Sequence, residues 1–544
     1  MTFSIPPHLR LIIFLAIGLL SGCTQPATPS PTPQPTVAAQ LPPAVITPPP
    51  PTATVTPTPS PNPTATVTHT PLPTATATAT PRPEAILAVP AEWQQAAETA
   101  LGQLADMSWD WQLQVVEDPA GELASGRVNL ALVVGDKGVP AGQRPLALAV
   151  PFATDWEETS LATAQQVQAN GHNFIRLIPW SAMTANFKAL RIDGRHPTDP
   201  NYPLQQAWSV LAGAGAENAA VAIGPLLAAH QQSYNWVSLA AVGDIMLDRT
   251  LGTAILNGRL EYPFANVAPL LQQADLTIGN LECALGDIGQ PADKSYTFQA
   301  PPAAAQSLAL AGFDLVSLAN NHALDFGPES LLQGIGLLND QNIAAVGAGA
   351  NAAAAHAPAI FEVKGLRLAF LAYANVPVEG RPPYFDTQSW TATENSPGLA
   401  WATAEQIRAD VGMIRPEVDH VIVILHSGHE YVAEVTPLQQ ELGHAAIEAG
   451  ASIVIGHHTH ILQGVEFYQG GVIVYGLANF AFTIEGPPET AILQAWLDQS
   501  QVRQISLVPA FVELELGGQP RLADAWEAPA ILQQIYALTT PLNP

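Results

Sequence analysis

Five short apolar runs, each ending in residues able to hold a metal ion, constrain this chain more than any other feature. Val237–Val242 leads into Gly243-Asp244, and Leu276–Ile278 into Gly279-Asn280-Leu281-Glu282. Leu315–Ala319 leads into Asn320-Asn321-His322, with Asp325 and Gly327 close behind. Val421–Leu425 leads into His426-Ser427-Gly428-His429-Glu430, and Ile453–Ile455 into Gly456-His457-His458-Thr459-His460. Runs of this length, rich in Val and Ile, read as buried strands of a layered α/β domain. Ligands of such sheets bind beyond the carboxyl ends of the strands. One crevice is therefore expected to gather Asp, Glu, Asn and His together.

Histidine usage points the same way. Of 14 histidines, six fall in these clusters: His322, His426, His429, His457, His458 and His460. A mixed carboxylate and imidazole set suits a divalent metal such as Mn, Zn or Fe, as one ion or two. The competing reading is a polar crevice that has lost its metal. His420 and His444 stand alone and carry no functional expectation; His444 falls in a helix expected over Pro437–Ala449, with Gly450 after it. Cys283 neighbours Glu282, whose charge opposes a thiolate, so it reads as a structural thiol. Arg249 either faces the crevice or pairs with Asp248.

The chain of 544 residues is long enough for two or three domains. Arg10, the apolar run Leu11–Leu20 and Leu20-Ser21-Gly22-Cys23 have the layout of a secretory signal over residues 1–22, too short to span a membrane comfortably. Its final box resembles the bacterial lipoprotein signal, which implies lipid on Cys23 and an extracytoplasmic, membrane-anchored protein. Residues 24–84 contain 19 of the chain's 51 prolines, with Arg82 and Glu84 as the only charged residues. Proline lacks an N–H and fixes φ, so residues 23–84 read as a disordered, extended stalk. Residues 85–233 read as a small α/β domain with strands at Val128–Val134, Pro145–Val150 and Phe174–Ile178. A helix is expected over Leu161–Asn170, between Ser160 and Gly171. Trp156, Trp180 and Trp208 are expected in its core. Pro145–Glu158 and Tyr202-Pro203-Leu204 faintly resemble one lobe of a periplasmic solute-binding protein, which leaves a solute-sensing role open. The formal charge of −27 excludes non-specific nucleic-acid binding, and two cysteines leave no disulfide framework.

Over residues 236–544, seven blocks in order resemble the CapA-type family, associated with poly-γ-glutamate capsules and related to calcineurin-like metallophosphoesterases. They are Gly243–Arg249, Asn280-Leu281-Glu282, Lys294–Phe298, Ala319–Gly327, His426–Tyr431, Gly456–Gln463 and Tyr475–Phe480. The resemblance implies a four-layer α/β/β/α sandwich with its site at one edge. It implies that Asp244 and His460 hold one metal, that Asn321, His426 and His458 hold a second, and that Glu282 bridges them. His322 becomes a general acid or a clamp on the leaving oxygen. Asp325 either orients His322 or caps a helix starting near Pro328. His429, His457 and Asn479 become ligand-orienting or substrate-side residues, alongside Arg249 and Lys294. Two departures stand out: Met246 occupies the position where metallophosphoesterases carry His, and Gln299 one where relatives often carry Arg. The implied function is a surface lipoprotein acting on an anionic capsule or cell-wall polymer, with other capsule-synthesis proteins as partners. It would be either a metal-dependent hydrolase or a non-catalytic anchor.

Overall fold

The computed structural model describes residues 82–104, 109–154, 156–230, 236–380, 384–483 and 486–543. The signal, Cys23 and the stalk as far as residue 81 lie outside the described residues. The first strand, Glu84–Val89, begins at the position expected to end the stalk.

Residues 84–230 build one mixed sheet covered by helices. The strand order is Asp110–Val115, Glu84–Val89, Leu130–Val134, Gln205–Ala212, Val139–Pro151 and Arg176–Pro179, with Phe187–Ala189 also paired to Val139–Pro151. The strand expected at Pro145–Val150 is thus much longer. Pro140 and Pro145 mask its beginning in the sequence, and a register shift between Pro140 and Gly142 accommodates the interruption. The helix Leu161–Asn170 forms as expected: the Ser160 side chain accepts from Thr163 N–H, and Gly171 turns the chain at φ 70°. Trp180 and Trp208 are buried, but Trp156 is 46% exposed and sets its ring against His172. It lies in a connecting segment rather than on a strand face, so no sheet covers it.

From Val237 onward two sheets stack face to face. The first has the order Ala344–Val346, Leu315–Ser317, Leu276–Leu281, Val237–Ile245, Glu489–Leu497, Val502–Glu513 and Gln519–Leu522, with Asn479–Ala481 on the end of Val237–Ile245. The second runs Ala359–Val363, Leu366–Asn375, His420–Ser427, Ile453–His457, Gly471–Val474 and Val465–Tyr468. Alternation along a strand decides what each side chain meets. Val421, Val423 and Leu425 pack with Ile407, Val411 and Leu442 of the helices Ala404–Ile414 and Pro437–Glu448. Ile422 and Ile424 instead join the core shared with the first sheet. The same parity carries His426 to the inter-sheet side, and Ile453 and Ile455 likewise lead to His457. Leu251, Leu271, Leu308 and Leu331, from helices over the first sheet, complete the α/β/β/α layering. The helix Pro437–Glu448 stops one residue short of the expected end, with Ala449 as its cap and Gly450 at φ 109°.

Two glycines set the strand ends. A Cβ at Gly243 would lie 1.9 Å from the Ala478 carbonyl oxygen, and one at Gly456 would lie 2.0 Å from that of Tyr475. Only glycine lets these backbones approach so closely. Among the described residues, no helix is long and apolar enough to cross a membrane.

The small domain packs on the sandwich within one compact unit. Ala189 N–H donates to Gln504 Oε1 at 2.9 Å, and Lys188 Nζ donates to Tyr536 Oη at 2.8 Å. Phe152 meets Phe467 and Tyr536 edge-on, and the His196 ring stacks 4.2 Å from Trp496. Burial, seconded by the Arg191 charge, pushes His196 down from 6.5 to about 3. The unfolded chain therefore takes up a proton near pH 6.5 that the folded chain refuses until about pH 3. The stability this histidine confers is complete above pH 6.5 and is lost as pH falls toward 3. The thermal midpoint is expected to drop across that window, and to drop less steeply in His196→Gln; equal slopes in both proteins would refute the assignment.

Candidate metal centre

The ends of five strands deliver the centre. Asp244 closes Val237–Ile245, Glu282 follows Leu276–Leu281, and Asn321 and His322 follow Leu315–Ser317. His426 lies near the end of His420–Ser427, and His457, His458 and His460 at the end of Ile453–His457 and just beyond. All eight side chains are buried. The backbone here is strained: His458 (φ 88°), His460 (φ 57°) and Ala478 (φ 63°) occupy the left-handed region. Such residues cost about 1–3 kcal/mol each and persist only where the surroundings hold them.

Asp244 is saturated. Its Oδ1 accepts from Asn280 Nδ2 at 2.8 Å and lies 3.1 Å from His457 Nδ1. Its Oδ2 accepts from His458 N–H at 3.1 Å and lies 3.4 Å from His460 Nδ1. Burial alone would raise this carboxyl, but the His457 and His460 rings and the His426 charge outweigh it, and Asp244 sits well below the usual carboxylate range.

Glu282 is the opposite case. Both its carboxylate oxygens are buried and neither has a hydrogen-bond partner among the described residues. Oε1 lies 3.4 Å from His426 Nε2 and 3.9 Å from His460 Nε2. Burial, then the charges of Asp244, Glu430 and Glu379, push its carboxyl well up. His426 and His458 are driven down by burial and then by a neighbouring imidazole, His458 to about 3. Burial opposes the charged form of His460 too, but Asp244 beside it prevails and raises it.

The ligand atoms of Asp244, Glu282 and His426 lie within 4.8 Å of one another, as do those of Glu282, His458 and His460. Glu282 is common to both sets. Asn321 adjoins the first, its Oδ1 2.7 Å from His426 Nε2. A buried carboxylate with neither oxygen bonded is costly unless a cation takes it. The donors are carboxylate, imidazole and amide oxygen, so the residues present fit a divalent ion.

The surrounding residues hold these groups in place. Asn479 Oδ1 lies 2.8 Å from His460 Nδ1 and turns that ring's Nε2 toward Glu282. Asn280 Nδ2 reaches Asp244 and lies 3.2 Å from His426 Nδ1, while Asn320 donates to Asn280 Oδ1 at 3.1 Å. Asp325 Oδ2 lies 2.7 Å from His322 Nδ1 and accepts from Phe298 N–H at 2.8 Å. The helix Gly327–Asp340 has no side-chain cap, so of its two expected roles Asp325 takes the orienting one. Lys294 is enclosed: it donates to the Asn321 carbonyl at 2.6 Å and pairs with Asp325 at 2.8 Å and Glu379 at 2.7 Å.

At the rim, His429 is exposed, and the half-exposed Tyr431 ring lies 5.9 Å from His460. Arg249 is exposed, with its guanidinium 4.8 Å above Phe298, whose ring is 4.5 Å from His322. The Asp248 carboxylate is engaged by the backbone N–H groups of Arg249 and Gln299. Met246 is buried in the sandwich core, its sulfur accepting from Asp248 N–H at 3.3 Å, and contributes no ligand. Cys283 is a free, buried thiol, and burial pushes it up.

Sequence reasoning missed Asn280 as a contact of Asp244 and missed Glu379 altogether. Asn280 stands in a quoted strand-end block. Glu379 is carried four residues beyond Leu366–Asn375, and the only available signal was that this strand ends at the same edge of the sandwich.

Residues 238–484 match the family described as bacterial capsule synthesis protein PGA_cap. The chain is 29% identical over 288 residues to the capsule biosynthesis protein CapA of Bacillus anthracis, covering 51% of this chain and 68% of that one. It is 30% identical over 249 residues to the PGA biosynthesis protein CapA of Bacillus subtilis (strain 168), covering 45% and 63%. A putative 5'-nucleotidase from Staphylococcus aureus aligns at a TM-score of 0.31 and 15% identity, covering 56% of this chain and 58% of that one. The matches to these curated relatives span about two thirds of their length. Residues 238–484, the span that carries the candidate metal centre, are thus similar to bacterial capsule synthesis proteins.

Proposed function

We propose that this protein is a cell-surface lipoprotein of the capsule-synthesis type, working as a metal-dependent hydrolase on an anionic capsule or cell-wall polymer. Its relatives' names, capsule biosynthesis and PGA biosynthesis, support the polymer class. The observation that carries the metal reading is Glu282, buried with both oxygens unbonded and imidazoles on two sides. Asp244, Glu282, Asn321, His426, His458 and His460 would hold the ion or ions. A divalent ion there supplies charge stabilisation to the attacked group. His322, whose Nδ1 is held by Asp325, keeps Nε2 for proton transfer to a leaving oxygen. Asn479 and Asn280 keep His460 and Asp244 in register. Lipid on Cys23 anchors the chain outside the membrane, and the proline-rich stalk that follows it spaces the folded part from the membrane. The second reading, a polymer-binding anchor without turnover, draws on Met246, whose burial leaves one fewer ligand than metallophosphoesterases have.

Reconstituted with Mn or Zn, the purified chain is expected to retain about one to two equivalents of metal by elemental analysis, and His458→Ala distinctly less. Retention of none by the unaltered chain would sink the hydrolase. On phosphodiester or γ-glutamyl model substrates, His322→Asn is expected to lower kcat by about 10²–10⁴ at unchanged metal content. A parallel loss of metal would assign His322 to the ion instead. In a bacterial host, Cys23→Ser is expected to move the protein from the membrane fraction to the soluble one, and an unchanged distribution would exclude the lipid tether.

A further inference from the structure

The chain beyond Leu366–Asn375 carries Glu379, the end of the short strand Val378–Glu379, to residues delivered by the first sheet. Its side chain is only 6% exposed. Glu379 Oε2 accepts from Asn321 Nδ2 at 3.0 Å and from Lys294 Nζ at 2.7 Å, and its Oε1 lies 3.7 Å from His322 Nε2. The part of Asn321 that faces Glu379 is thus its NH2 group, the donor end of the amide. The amide oxygen then points the other way, 2.7 Å from His426 Nε2, itself 3.4 Å from Glu282 Oε1. Lys294 extends the contact to Asp325 at 2.8 Å, and Asp325 holds His322 at 2.7 Å. One buried chain therefore runs Asn321, Glu379, Lys294, Asp325, His322.

We infer that Glu379 is a positioning residue of this centre: it decides which atom of Asn321 is offered to the ion and, through Lys294, braces the Asp325–His322 pair. The inference rests on the reading above that a divalent ion binds here. Were the Glu379–Lys294 pair merely a neutralised structural contact, Asn321 would keep its orientation without it. Partners at one remove from a metal typically change its affinity by about 10–100-fold when removed.

Titration calorimetry of the full chain with Mn²⁺ separates these cases, with circular dichroism melts to confirm folding. Glu379→Ala is expected to weaken Mn²⁺ binding by about 10–100-fold. Glu379→Gln, which still offers Asn321 an oxygen, is expected to retain most of the affinity. In an Asn321→Ala background, Glu379→Ala is expected to cost little more, because the two residues act through one contact. Wild-type affinity in Glu379→Ala, or losses that simply add in the double variant, would overturn the inference alone. Absence of Mn²⁺ binding to the unaltered chain would overturn both it and the hydrolase reading.

Discussion

Two buried carboxylates, Asp244 and Glu282, lie at the ends of adjacent strands of the first sheet where the second sheet closes over them. Burial penalises both, and the rest of the centre is arranged around how each is compensated. Asp244 draws in Asn280, His457, His460 and the His458 backbone N–H. Glu282 accepts a hydrogen bond from none of the described residues, and its Oε1 faces His426 Nε2 at 3.4 Å and His460 Nε2 at 3.9 Å. That asymmetry is why the pair can be read as a metal centre rather than as a buried polar cluster. A cluster of purely structural purpose would satisfy both members.

The strained residues follow from the same demand. Placing both His458 and His460 against carboxylates of the opposite sheet requires the chain after Ile453–His457 to turn through left-handed conformations twice. Ala478, also left-handed, brings its carbonyl to Asp244 N–H, and Gly243 leaves room for that approach. The surrounding sandwich is a continuous apolar core with helices outside both sheets, a rigid support for so many unfavourable local choices. Lys294 shows the same economy: a cation enclosed beside the centre, shared between Asp325 and Glu379 rather than offered to solvent.

The small domain is fastened to the sandwich through His196 on Trp496, Lys188 on Tyr536 and Ala189 on Gln504. These contacts fall on the strands Glu489–Leu497 and Val502–Glu513 and on the helix Ala528–Thr539, none of which supplies a ligand to the centre. The attachment thus leaves the metal-centre edge of the sandwich to other elements.

What the sequence determined by itself is the set of strand-end clusters and their gathering in one crevice. Apolar runs and the helix cap at Ser160 are local, so they survive without knowledge of the fold. His426 and His457 were legible because each follows a buried apolar run. Tertiary structure alone decided the pairings: that Lys294 turns inward, that Asp325 serves His322 rather than a helix, that Met246 gives its sulfur to Asp248, and that Trp156 stays in solvent. Glu379 illustrates the reason. Its partners Lys294 and Asn321 are 85 and 58 positions away, and no local pattern marks a carboxylate whose role is set by atoms from the other sheet.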